Sequence, residues 1–234
     1  MIELKQGATI LFQGDSITHG GRGDPNDPNH AMGHGYAFNI ASEIGNKCAE
    51  KQYRFMNRGI SGNSLVEITE RWKEDTLALE PDLLSLLSGI NDLNIHLPSE
   101  EAFAEDARKY EERYRNLIEL TKKELPECKI VVIEPFTYKL KTIFALCYGR
   151  LSDDPELLEP PAIRAAHIKP LQETVKKLAE EYGLIFVPMQ DLYNKALERA
   201  QDCYWNWDSL HPTYSGHYMM SRRWLEVVTK EIKF

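Results

Sequence analysis

Five short apolar runs punctuate this chain, each separated from the next by a longer stretch with helical spacing, and that alternation limits the fold more than any other feature. The runs are ATILF at 8–12, YRFMN at 53–57, DLLSLLSG at 82–89, KIVVIEPF at 129–136 and LIFVP at 184–188. They have the length of buried strands and are too short for helices. Between them, 36–50, 65–79, 99–125 and 162–183 carry helical patterns, with Pro81, Pro126 and Gly183 at three of the ends. Two more helical stretches, about 191–201 and 213–230, follow the last run. Strands spaced by helices predict repeated βαβ units, hence an α/β fold with a parallel sheet covered on both faces.

At 234 residues such a fold is routinely one domain, and nothing resembles an interdomain linker, so 1–234 is read as a single domain. The one long irregular stretch is 138–161, ending in LSDDPELLEPP. Loops of that length inside a compact domain are functional or disordered. Acidic residues outnumber basic ones, 36 to 28, for a net charge of −8, which disfavours nucleic-acid or anionic-membrane partners. No apolar run approaches the 18 or so residues of a membrane-spanning helix. The N-terminus, MIELKQGATILFQGDS, lacks the layout of a secretory signal, so a cytoplasmic location is expected. Cys48, Cys128, Cys147 and Cys203 are too scattered for a disulfide framework or a CxxC site and are expected as free thiols.

In sheets of this kind ligands bind outside the carboxyl ends of the strands, near the point where strand order reverses. After the first strand comes QGDSITHGG, which places Ser16 at a strand-to-loop turn. The bland role for Ser16 is a backbone cap. NRGISGNS (57–64) follows the second strand, and its glycines leave amide hydrogens free to face an anion. SGINDLN (88–94) follows the third, where an Asn91 amide can donate to a developing oxyanion or simply form an Asx turn. Near the C-terminus, YWNWDSLHPTYSGH sets Asp208 three residues before His211. A hydroxyl nucleophile needs a neutral imidazole to take its proton and a carboxylate to orient that imidazole. No GxxxxGK[ST], GxGxxG or GxSxG occurs, so P-loop, dinucleotide and nucleophile-elbow chemistries lose their signatures.

GDSIT at 14–18, ISGNS at 60–64, GIND at 89–92 and DSLHP at 208–212, in that order, resemble the four signature blocks of the SGNH (GDSL) hydrolases. The likeness spans nearly the whole chain. It implies a three-layer α/β/α flavodoxin-like sandwich with five parallel strands in the order 2-1-3-4-5. By the same likeness Ser16 is the nucleophile, His211 the general base and Asp208 its orienting acid. The oxyanion hole falls on the backbone N–H groups of Ser16 and Gly62 and the side chain of Asn91, with Asp15 bracing the loop. Gly59 competes with Gly62 for the second donor, and ISGNS aligns Gly62 with the family glycine. Within the superfamily, QGDSITHGGR, GHGYAFNIAS, RWKEDTLALEPD and WDSLHP are most similar to bacterial intracellular acetylxylan-esterase-type enzymes. That implies a serine esterase acting on O-acetylated sugars through an acyl-enzyme, with no cofactor and a homo-oligomeric assembly.

Leu93 and Asn94 depart from that branch, which tends to carry Val-Trp there. Trp207, beside Tyr204 and Trp205, is an expected substrate contact, as is Arg58; Arg22, beside the first motif loop, is a candidate on the same ground. His30 and His34 lie in a stretch broken by glycine and proline, so no metal site is expected. Two alternatives stand beside the sugar esterase. One is a short-chain esterase or lysophospholipase-type acylhydrolase, with 138–161 covering an acyl channel; the other is a catalytically silent sugar-binding homologue.

Overall fold

The computed structural model describes residues 1–93, 99–137, 161–207 and 210–234, without the side chains of 161–166. Its main sheet contains β1 (Thr9–Gly14), β2 (Arg54–Asn57), β3 (Leu83–Leu87), β4 (Lys129–Ile133) and β5 (Ile185–Val187). All neighbours pair in parallel, in the order 2-1-3-4-5. The expected order therefore holds, and β1 and β3 lie side by side where strand order reverses.

Alternation along the strands explains the two helical layers, because successive side chains of a strand point to opposite faces. Ile10 and Phe12 of β1, Leu83 and Leu87 of β3, and Val131 and Ile133 of β4 face one core. The helices α2 (Tyr36–Lys47) and α6 (Tyr214–Val228) cover it with Tyr36, Ile40, Met220 and Trp224. Leu11, Leu84, Leu86, Ile130 and Val132 face the other core. There α3 (Leu65–Glu70), α4 (Glu100–Glu124) and α5 (Pro161–Tyr182) pack with Leu65, Tyr114, Leu117 and Val175. A short helix, α1 (Ser16–His19), sits at the carboxyl end of β1.

Three local outcomes differ from the sequence expectation. The helical pattern at 65–79 breaks into α3, a short helix at Trp72–Asp75 and a 3-10 turn at Leu77–Leu79, with Arg71 at the break. Ile2–Glu3 and Ile232–Lys233 form a small parallel pair too short to leave a periodic signal. Free thiols are found at Cys48 and Cys128, whereas Cys203 is disulfide-bonded. Among the described residues no helix is long and apolar enough to cross a membrane. The 138–161 segment lies outside the described residues except for Pro161, the first residue of α5.

Candidate active site

The carboxyl edge of the sheet is built by turns that the sequence dictates. β1 ends at Gly14, whose φ of +156° and surroundings exclude a side chain: an added Cβ would lie 2.4 Å from the Leu87 carbonyl oxygen. Asp15 then caps α1, its carboxylate accepting the Ile17 N–H at 2.9 Å, so that Ser16 becomes the first helical residue. Asp15 is buried, and burial, reinforced by the charge of Asp92, pushes its carboxyl up to about 7. Asn57, at the end of β2, is also buried; its amide donates to the carbonyls of Thr18 and Met32 at 2.7 and 3.0 Å. It fixes the far end of α1.

Ser64 and Glu67 form a capping box at the start of α3. Asp92 accepts the Leu65 N–H at 2.9 Å and the Ser88 hydroxyl at 3.2 Å, which ties the third motif to the second. Burial raises its carboxyl to about 6. The Asn91 amide donates to the Asn63 carbonyl at 3.0 Å. That bond uses one of its two N–H groups and leaves the other for the cavity that Asn91 lines. At Gly62 φ is +81° with open space where a Cβ would sit, so the backbone conformation selects glycine there. Neither the Ser16 nor the Gly62 N–H has an acceptor among the described residues. The Gly59 N–H, by contrast, is taken by the Asn57 side chain at 2.9 Å.

His211 arrives from the loop before α6. Trp207 donates its N–H to the His211 carbonyl at 3.0 Å, and Asn206 bridges Pro212, so the loop folds back on itself. His211 Nε2 lies 2.7 Å from Ser16 Oγ, a hydrogen bond between residues 195 positions apart. The Trp207 ring stacks on the imidazole, with centroids 5.6 Å apart. Asp208 lies outside the described residues.

These groups border one cavity of about 780 Å³, lined among others by Ser16, Gly62, Asn91, Trp207, His211 and His217. Trp207 is thus at the cavity wall. Arg58 does not line it; its Nε sits 3.8 Å from Asp75, and Arg22 donates to the Gly59 carbonyl at 2.9 Å. His217 also lines it. Its Nδ1 accepts the Tyr36 N–H at 3.2 Å, capping α2, and burial pushes its pKa down to about 3, so the ring stays neutral. Among the described residues no group of three His, Cys, Asp or Glu could hold a metal ion.

Fold and site together define the class: a carboxylic ester hydrolase on a doubly wound sheet. The family is equally plain: residues 12–219 match the GDSL-like lipase/acylhydrolase family, and the chain belongs to it. It is 30% identical to the acetylxylan esterase of Geobacillus stearothermophilus over 97% of this chain and 96% of that protein. The crystal structure of Axe2, an acetylxylan esterase from Geobacillus stearothermophilus, superimposes with a TM-score of 0.75 at 29% identity, covering 96% of this chain and 95% of its own. A candidate GDSL-like lipase from Parabacteroides merdae gives a TM-score of 0.76 at 34% identity, covering 96% of both chains.

Proposed function

We propose that this esterase removes short acyl groups, O-acetyl above all, from small carbohydrates through a covalent acyl-enzyme on Ser16. The observation that carries the proposal is the 2.7 Å contact between Ser16 Oγ and His211 Nε2 at the wall of the cavity. In the first step Ser16 Oγ attacks the ester carbonyl while His211 Nε2 takes the hydroxyl proton. The carbonyl oxygen becomes an oxyanion, held by the N–H groups of Ser16 and Gly62 and the amide of Asn91. His211 then protonates the departing sugar oxygen. Water attacks the acyl-serine, giving its proton to His211, and the collapse of the second tetrahedral intermediate releases acetate and returns the proton to Ser16. Asp208 orients His211 in this scheme.

Several features support these roles. The Ser16 and Gly62 amides lack acceptors among the described residues, whereas the Gly59 N–H already donates to the Asn57 side-chain oxygen. Asp15 is committed to capping α1, which suits bracing and leaves proton transfer to His211. The choice of sugar rests on the acetylxylan esterase likeness and on Trp207, whose exposed ring suits stacking on a sugar face.

The test is acetate release from acetylated xylo-oligosaccharides by the purified protein, with Ser16→Ala in parallel. Release that disappears in the variant supports both nucleophile and substrate. Serine-dependent cleavage of aryl acetates without release from the sugars removes xylan and keeps the esterase. Preference for long acyl chains would move the assignment to a lysophospholipase-type acylhydrolase. Absence of every activity would favour a silent sugar-binding homologue.

A further inference from the structure

Beneath the two loops that flank Ser16 lies one guanidinium that touches both. Arg71 ends α3, and its side chain is 15% exposed. Nε donates to the Asn63 side-chain oxygen at 2.7 Å. Nη1 donates to the Arg58 carbonyl at 2.8 Å and to Asp75 at 3.1 Å, and Nη2 to the Gly14 carbonyl at 3.2 Å. Gly14 stands two residues before Ser16, Arg58 opens the second loop, and Asn63 follows Gly62 directly. The Asn63 carbonyl in turn receives the Asn91 amide. Each segment bearing one of the three proposed oxyanion donors is thus joined to Arg71 directly or through Asn63.

Only arginine supplies this pattern, because its planar fork aims several N–H donors in fixed directions at once. The Asp75 carboxylate pairs with the guanidinium, and its backbone carbonyl accepts the Gln13 amide at 3.2 Å; Gln13 in turn accepts the Gly14 N–H at 3.1 Å. The end of β1 is therefore closed into a ring with Arg71 and Asp75. Oxyanion donors accelerate a reaction because they are already placed when charge develops, and a misplacement of about 1 Å can cost about 10²-fold.

We propose that Arg71 is a positioning residue for the oxyanion hole, holding the Gly62 N–H and the Asn91 amide in register with Ser16 through Asn63. The proposal rests on the ester-hydrolase roles given above and identifies what organises them. Arg71 itself touches no reacting atom.

The experiment compares Arg71→Lys, Asn63→Ala and the double variant on an aryl acetate. It also measures inhibition by methylboronic acid, whose adduct with Ser16 presents a tetrahedral oxygen to the same donors. Asn63→Ala cuts only the Nε arm and leaves the Gly14, Arg58 and Asp75 bonds in place, so it should fold. Its kcat should fall about tenfold with KM within about twofold, and boronate affinity should weaken in step. Arg71→Lys should lose about 10²-fold in kcat, and the double variant should be no worse, since both changes act through one connection.

A merely structural arginine would lower the melting temperature while leaving the kcat of the folded fraction intact. Unchanged kcat in Asn63→Ala, or boronate affinity that stays at the wild-type value while kcat falls, would overturn the proposal. Should Ser16→Ala keep full activity, the catalytic roles fail and the Arg71 proposal falls with them. Should Ser16→Ala be inactive while Asn63→Ala and Arg71→Lys match the wild type, the Arg71 proposal alone fails.

Discussion

Asp15→Asn should stabilise this protein, increasingly so as pH rises. Asp15 is 1% exposed, and burial pushes its carboxyl from 3.8 up to about 7. Between those values the folded chain binds a proton that the unfolded chain has released. The sign follows from linkage: where the folded state holds more protons, stability falls as pH rises, so the Asp15 contribution is fully present below about pH 4 and gone above about pH 7. The difference between those values corresponds to about 4 kcal/mol. That figure is a ceiling, because relaxation and water entry lessen the cost of a buried charge. Asparagine has nearly the same shape, and its Oδ1 can still accept the Ile17 N–H, yet it never ionises. Half the ceiling, about 2 kcal/mol, corresponds to a melting-temperature gain of about 4–8 °C in a chain of this size. Thermal melts of both proteins from pH 4 to pH 8 should show curves that meet at the acid end, separate up to about pH 7 and then run parallel. A gap independent of pH, or an asparagine variant less stable at pH 8, would refute the reasoning.

Asn91→Ala should lower kcat about 10²–10³-fold with little change in KM, as loss of one oxyanion donor does; steady-state kinetics on an aryl acetate measures it. Gly14→Ala should fail to accumulate as folded protein or melt far lower, since its Cβ would lie 2.4 Å from a backbone oxygen; circular dichroism checks this. Ser85→Ala should cost about 1–3 kcal/mol in chemical denaturation, because the buried Trp224 indole N–H, 3.0 Å from Ser85 Oγ, would lose its acceptor. Hydrolysis should fall as pH drops below roughly 6–7, where an imidazole base becomes protonated, and a flat profile to pH 5 would speak against His211.

The parts of this molecule that sequence revealed are those written in local patterns. Each of the five apolar runs is a strand of the parallel sheet, because runs buried on both faces leave a continuous apolar stretch. The motif serine, glycine and asparagine are legible because each lies in a turn within a few residues of a strand's end, and the histidine because it sits in the final loop. What escaped depends on contacts distant in sequence. Arg71 reads as an ordinary residue in a helical pattern, but its side chain turns inward to Gly14, 57 positions away, and the helix ends there. Asn57 and His217 stand within quoted motifs, yet their tasks are set by the Thr18 carbonyl and the Tyr36 N–H across the fold. Arg58 is a candidate contact because it stands beside the second motif loop; its Nε lies 3.8 Å from Asp75, a neighbour that local sequence does not reveal.

The central claim is a covalent acyl-enzyme on Ser16, and its most direct test is mass spectrometry of protein quenched during turnover of an aryl acetate. The account predicts one added acetyl group on the peptide bearing Ser16, absent from Ser16→Ala, which also loses hydrolysis. Full hydrolysis by Ser16→Ala, or an acetyl group on some other residue during turnover, would contradict it.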